Sequence, residues 1–176
     1  MIKIFFTASL LMLSSVSLAY ECRTTIEATT PTENFLINPE GSVTDLRFGL
    51  VWHICTYGQV WDQASSTCKG DPKKIDSWSE AILSQDEMNS NKAMGHSDWR
   101  LPSIRELSTI VERKCRQPAI NTEIFKGTAT GVYWSNTPDG IVNPQLPGRI
   151  IDFSDGLEVY RAVSPEKYVR HVRSIN

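Results

Sequence analysis

The sequence lacks a long hydrophobic run. Its one sizeable apolar stretch, Ile4 to Leu13, is shorter than the roughly 20 residues a membrane-spanning helix needs. Lys3 precedes it, and the small residues Ser17 and Ala19 follow. Residues 1–19 therefore read as a secretory signal peptide cleaved after Ala19, so the protein is expected to be exported, to the periplasm or to the cell surface and medium. No cysteine stands at the cleavage point, which argues against a lipid anchor. An excess of positive charge is also missing. Without residues 1–19 the chain has 157 residues, 17 basic and 20 acidic, a formal net charge of −3. Binding along a nucleic-acid backbone rests on many Lys and Arg contacts, so no nucleic-acid partner is expected. Histidine is scarce: His53, His96 and His171 lie far apart without ligand spacing and read as scattered surface residues, so no metal is assigned. There is no GxSxG elbow, HExxH pair or phosphate-cradling glycine loop. No catalytic residue and no cofactor is assigned, and the protein is expected not to be an enzyme. Internal repeats and low-complexity blocks are absent too, and the length suits one domain.

Four cysteines are present: Cys22, Cys55, Cys68 and Cys115. An even count in an exported chain without a CxxC pair points to two disulfides rather than a metal site. Of the three connectivities, Cys55 with Cys68 and Cys22 with Cys115 is the one expected. The short loop would contribute about 3 kcal/mol by chain entropy, and the long one about 4 to 5. The second bridge ties an N-terminal arm, residues 20–45, to a domain spanning 46–176.

The arm is rich in Thr, Glu, Asn and Pro, with one apolar patch, "NFLIN", suited to an edge strand. From Leu46 onward Phe48, Leu50, Trp52 and Ile54 alternate with lighter residues, predicting a strand with its heavier face buried, then a turn at Gly58 and a short strand at Val60 and Trp61. "ASSTCKGDPKK" is a loop by composition. Ser77 with Glu80 is a capping-box pattern, and Trp78, Ala81, Ile82, Gln85 and Met88 follow the helical period, predicting a helix over 78–90.

In "HSDWRLPSIREL" (96–107), Trp99 and Leu101 point to the core and Pro102 holds the chain extended. Ser103 with Glu106 caps a helix carrying Ile104, Leu107, Ile110 and Val111 to about Lys114. Arg100 is expected to clamp a loop, through carbonyls or a carboxylate such as Asp98 or Glu106. The stretch reads as a scaffold joint. Ile120 and Phe125 should plug the following loop. "VYWSN" (132–136), "GRIIDF" (148–153), "DGLEVYRAV" (155–163) and "YVRHVRS" (168–174) read as strands, and residues 137–149 as a loop. Asp152 and Asp155 suit a β-turn better than a calcium site, which needs six to eight oxygens. Helices first and strands after give an α+β class. The tryptophans Trp52, Trp78, Trp99 and Trp134 suit the core, and Trp61 is the candidate for a sugar platform or protein contact. "RKCR" (113–116) and "YVRHVRS" concentrate positive charge and read as exposed polar surface.

Taken in order, Asp98-Trp99-Arg100-Leu101-Pro102, Glu106-Leu107, Pro118-Ala119-Ile120, Tyr133-Trp134-Ser135 and Tyr168-Val169-Arg170 resemble the DUF1566 family, which includes the C-terminal domain of the Legionella collagen-like adhesin. The resemblance runs from about Gly49 to Arg173. It implies a compact α+β domain of C-type-lectin-like form, related to formylglycine-generating-enzyme folds, with two main helices and a curved, mostly antiparallel sheet. It implies carbohydrate or host-surface binding, since that adhesin binds glycosaminoglycans, and it carries over no catalytic residues. The chain departs from the family pattern at His53, where arginine is expected. Residues 137–149 lack the family's further aromatics, and there is no collagen-like stalk. The expected function is a non-catalytic binding module for glycosaminoglycan or other surface carbohydrate, through a surface around the 137–149 loop, Trp61 and the basic residues Arg113, Lys114 and Arg116. The alternatives are an accessory protein-interaction subunit of an envelope, pilus or secretion assembly, and an envelope enzyme.

Overall fold

A computed structural model describes residues 20–140, 147–159 and 166–175. The expected signal peptide, the middle of the 137–149 loop and the second half of the expected 155–163 strand lie outside the described residues. The class is α+β, with two α-helices among the described residues and antiparallel pairing between the named strands. Strands β1 (Glu21–Cys22), β2 (Phe35–Ile37), β3 (Ser42–Asp45), β4 (Leu50–His53), β5 (Val60–Asp62) and β6 (Thr67–Lys69) precede helices α1 (Trp78–Ser90) and α2 (Ile104–Thr109). Then come β7 (Cys115–Arg116), β8 (Val132–Pro138), β9 (Gly148–Asp152), β10 (Leu157–Val159) and β11 (Val172–Ser174). They form a four-stranded sheet β11-β4-β3-β2, a three-stranded sheet β10-β9-β8 and two ribbons, β1-β7 and β5-β6. The latter half of the expected arm is thus built into the main sheet as β2 and β3. "NFLIN" supplies the edge strand, with Leu36 57 % and Ile37 45 % exposed.

The strand around Trp52 differs from expectation. β4 is central, and all four of its residues are buried, so it has no lighter, solvent-facing side. Phe48 belongs to the turn before it and is exposed, with the Arg47 guanidinium 5.0 Å from its ring centre. The outer side of β4 is roofed by Trp99, whose ring meets His53 edge-on at 6.4 Å. The core on the other side joins Trp52, Leu50, Leu107, Phe125, Tyr133 and Phe153. A second cluster packs Trp134, Leu101, Ala81 and Val169.

Helix α1 starts where its cap predicts, with the Ser77 hydroxyl accepting from Glu80 N. Trp78 anchors its first turn by donating from Nε1 to Ser135 O at 2.7 Å. Gly148 makes room for that ring: a Cβ there would sit 2.2 Å from Trp78 Cδ1 and Nε1. Gly148→Ala is expected to push Trp78 aside and cost about 2 kcal/mol, measured by urea unfolding.

Helix α2 has the full capping box between Ser103 and Glu106 but ends at Thr109, a turn earlier than expected. The Ser108 and Thr109 hydroxyls bond back to Arg105 O and Glu106 O, the local competition that weakens helix ends. Val111 then bridges to Ile120. Cys115 is therefore a strand residue, paired across β7 with Cys22.

In the joint from 96 to 107 the residues expected to anchor it are tied into the fold. Trp99 is tied by its N–H and C=O to the Asn89 amide at 2.8 and 2.9 Å, and by Nε1 to Ala93 O. Pro102 is buried, and its carbonyl accepts from Asn136 N at 2.7 Å. Arg100 chooses Glu106, with two bonds of 2.8 and 2.6 Å. Asp98 instead accepts from Arg173 Nε. Because Glu106 also accepts from Ser103 N, Glu106→Ala should cost about 2 kcal/mol in urea unfolding, the sum of a cap and a bidentate pair.

Three expectations of exposure and loop are corrected. "YVRHVRS" is not surface: Arg170, His171 and Arg173 are buried. Only its last three residues are strand β11, while Tyr168 to His171 thread between sheets, giving carbonyls to Trp134 N, Tyr57 N and His53 N. His53 and His171 are buried as well, and only His96 is partly exposed. Within "ASSTCKGDPKK", Thr67–Lys69 is strand β6. Asp62 organises the turn by accepting from Ala64 N and the Ser65 hydroxyl, and the Cys55–Cys68 bridge pins the ribbon.

Candidate functional site

The segment from Glu112 to Arg116 is organised by a carboxylate that sequence reasoning passed over. Glu112 is buried, and its oxygens accept from the backbone and hydroxyls of Thr29 and Thr30 and from Lys114 N. Burial alone would raise its pKa. The backbone N–H groups of Lys114, Thr29 and Thr30 outweigh it and hold the carboxyl below its usual range. The consequence is local geometry. Thr29 and Thr30 are fastened beside β7, while Arg113 stays exposed and Lys114 partly so.

The Cys22–Cys115 disulfide then folds residues 20–23 over the same segment. Glu21 pairs with Arg116 and Cys22 with Cys115 across the β1-β7 ribbon, and Arg23 N donates to Lys114 O at 2.8 Å. A cavity of about 560 Å³ opens beside the ribbon, with Arg23, Arg113, Lys114 and Arg116 on its walls together with Glu21 and Asp155. Both carboxylates are engaged: Glu21 accepts from Arg116 Nε at 2.9 Å and from its Nη2, and Asp155 accepts from Leu157 N at 3.0 Å. A second cavity of about 490 Å³ is lined by Glu112, Lys114, Asn121 and Glu123, among others. Tyr20, Cys22, Lys114 and Cys115 line both.

The basic residues singled out in the sequence thus come together, and Arg23 joins them. Its signal was available, because the expected Cys22–Cys115 bridge carries the residue after Cys22 to the basic run. Trp61 does not join them. It is half-buried on the β5-β6 ribbon, its Nε1 donates to Pro39 O at 3.0 Å, and it lies over Gly41, where a Cβ would fall 2.5 Å from it. It lines neither cavity. Residues 137–149 contribute the end of β8 and the start of β9, and 141–146 lie outside the described residues.

The remaining chemistry-bearing groups are placed as follows. All four cysteines are bonded, Cys22 to Cys115 and Cys55 to Cys68. Among the described residues no group of three or more His, Cys, Asp or Glu is arranged to hold a metal. Asp152 and Asp155 form the β9-β10 turn, accepting from Ser154 N and Leu157 N. Ser84 and His171 meet at 2.9 Å. The Ser84 hydroxyl proton is given to Ala81 O at 2.7 Å, so the imidazole Nε2 is the donor to Ser84 and the bond ties α1 to the core. No described helix is long and apolar enough to cross a membrane.

No curated protein and no solved structure matches the chain. The model of one family does, the Lcl C-terminal domain, over residues 41–173. The match takes in the main sheet from β3 to β11, both helices and the basic run, and leaves β1, β2 and Arg23 outside it. Covering most of the sequence, it establishes that the chain belongs to the Lcl C-terminal domain family.

Proposed function

We propose that the protein is an exported, non-catalytic, adhesin-like binding module that holds anionic surface carbohydrate, of the glycosaminoglycan kind, in the cavity beside the β1-β7 ribbon. The observation that carries this reading is the gathering of Arg23, Arg113, Lys114 and Arg116 around one cavity in a chain that is acidic overall. Sulfate and carboxylate groups suit such a wall, because guanidinium and ammonium donors gain from charge-assisted bonds there. Family membership supports the adhesin-like role, and two disulfides suit an oxidising compartment outside the cytoplasm. An enzyme using a cysteine nucleophile would need a thiol, and all four are bonded.

Heparin chromatography of the oxidised protein tests it. The triple change Arg113→Ala, Lys114→Ala, Arg116→Ala should elute at clearly lower salt than the unaltered protein, since each lost cation removes one screened contact. Trp61→Ala should elute unchanged. Equal retention of the triple variant would sink this reading. The exposed edge strand β2, with Leu36 and Ile37 outward, favours a second reading, an accessory subunit that pairs with an envelope protein. Specific co-purification from envelope extracts that is lost on Leu36→Lys would support it.

A further inference from the structure

The arm that closes the cavity is held by little besides its disulfide. Residues 21–27 are exposed without exception. Their hold on the body consists of the two-residue β1-β7 ladder, the bond from Arg23 N to Lys114 O, and the Arg116–Glu21 ion pair. That pair is about 60 % exposed on both sides, a setting in which ion pairs contribute little. Firm anchoring begins at Thr29 and Thr30, where Glu112 grips backbone and hydroxyls. Ordering a nine-residue segment is entropically costly, and so few contacts do not offset that cost without the covalent tie.

The two disulfides also differ in access. Cys22 is exposed and Cys115 is 4 % exposed. In the other bridge Cys55 is fully enclosed, and Cys68 is only partly exposed, packed against the core beside Lys126 O. The Tyr20 hydroxyl donates to Cys115 Sγ at 3.3 Å. A donor on one sulfur favours that sulfur as the leaving thiolate, so the exposed partner is the one to be attacked.

We propose that Cys22–Cys115 is a redox latch on the ligand cavity, opened by a dithiol reductant of the thiol-disulfide oxidoreductase class; its role in ligand release rests on the carbohydrate reading above. A reductant thiolate attacks Cys22 Sγ, the Cys22–Cys115 bond breaks, and Cys115 departs as a thiolate assisted by Tyr20 and takes up a proton. The reductant's second thiolate then displaces Cys22 from the mixed disulfide, and Cys22 takes up the other proton. The dithiol is oxidised to a disulfide and the protein gains two thiols. Freed, residues 20–28 leave the body, so both cavities lose the wall carrying Tyr20 and the basic one also loses Arg23.

Graded dithiothreitol on the oxidised full chain tests the latch, with iodoacetamide trapping, peptide mass spectrometry, brief trypsin exposure and heparin retention read on the same samples. Cys22 and Cys115 should become alkylated while Cys55–Cys68 stays closed. Trypsin should then cut after Arg23, and retention should fall in step. Tyr20→Phe should slow the opening by roughly threefold. Opening of Cys55–Cys68 first, or opening of Cys22–Cys115 without cleavage at Arg23, overturns the latch. Retention unchanged in the opened protein overturns its control of the ligand. Retention absent even in the oxidised protein overturns the carbohydrate reading instead, while the selectivity of opening and the cleavage after Arg23 still decide the latch.

Discussion

Replacing Arg170 with methionine is expected to cost about 3 to 5 kcal/mol in urea unfolding, the sum of several buried acceptors left without donors. The guanidinium is enclosed, and its partners are carbonyls and hydroxyls. Nη1 donates to His53 O at 2.9 Å and to Ile54 O, and Nη2 donates to Thr128 Oγ1 at 2.7 Å. The Phe125 ring centre lies 5.1 Å from it. Buried charge is expensive, and replacing a whole buried ion pair by apolar side chains can be neutral. That escape is closed here, because the backbone oxygens at the end of β4 remain when the arginine goes. Lysine should recover only part of the loss, since one ammonium cannot reach acceptors on two segments at once. A methionine variant destabilised by less than about 1 kcal/mol would contradict this account of the polar core.

Acid should unfold the protein well before its carboxylates titrate. Burial lowers the pKa of both His53 and His171 from 6.5 to about 3, with the charge of Arg170 and then His171 adding to the effect at His53. A lowered histidine pKa means that the unfolded chain binds protons the folded chain refuses. The stability is fully present above pH 6.5 and is lost as pH falls toward 3. Two such groups give a slope approaching about 2.7 kcal/mol per pH unit as an upper bound. Glu106 and Glu112, held below 4.5, act in the same direction only at lower pH. The window from 6.5 to 4.5 therefore belongs to the histidines. Urea midpoints should be flat from pH 8 to 7 and fall steeply below 6, and His171→Gln should lower that slope by about one proton. A flat profile down to pH 4.5 would contradict the buried, neutral state.

What the sequence showed depended on how local the cause was. Both helix starts were readable, because Ser77 and Ser103 act on residues three positions away. The joint at 96–107 was readable for the same reason, down to a carboxylate partner for Arg100. Both disulfides followed from count and spacing. The end of α2 was only partly legible: the back-bonding hydroxyls of Ser108 and Thr109 are local, but Glu112, just beyond, is held by Thr29 and Thr30 from some 80 positions away. Nor was the burial of "YVRHVRS": a run of Arg and His looks solvated until a sheet supplies carbonyls for it. Strand β6 was hidden by loop-like composition, because its pairing comes from β5 and a disulfide. In the candidate site Arg113, Lys114 and Arg116 were visible as a charge run. Arg23 needed the disulfide to bring it there, and Trp61, singled out for its place between a glycine turn and the small-loop disulfide, is instead packed over Gly41 and bonded to Pro39 O.

Binding of the oxidised protein to an array of sulfated, carboxylated and neutral glycans, at low and high salt and with EDTA, tests the central claim most directly. Sulfated chains should bind, with binding that weakens with salt, ignores EDTA and fades when Arg113 and Lys114 are changed to alanine. Binding confined to neutral sugars, or abolished by EDTA, would contradict it.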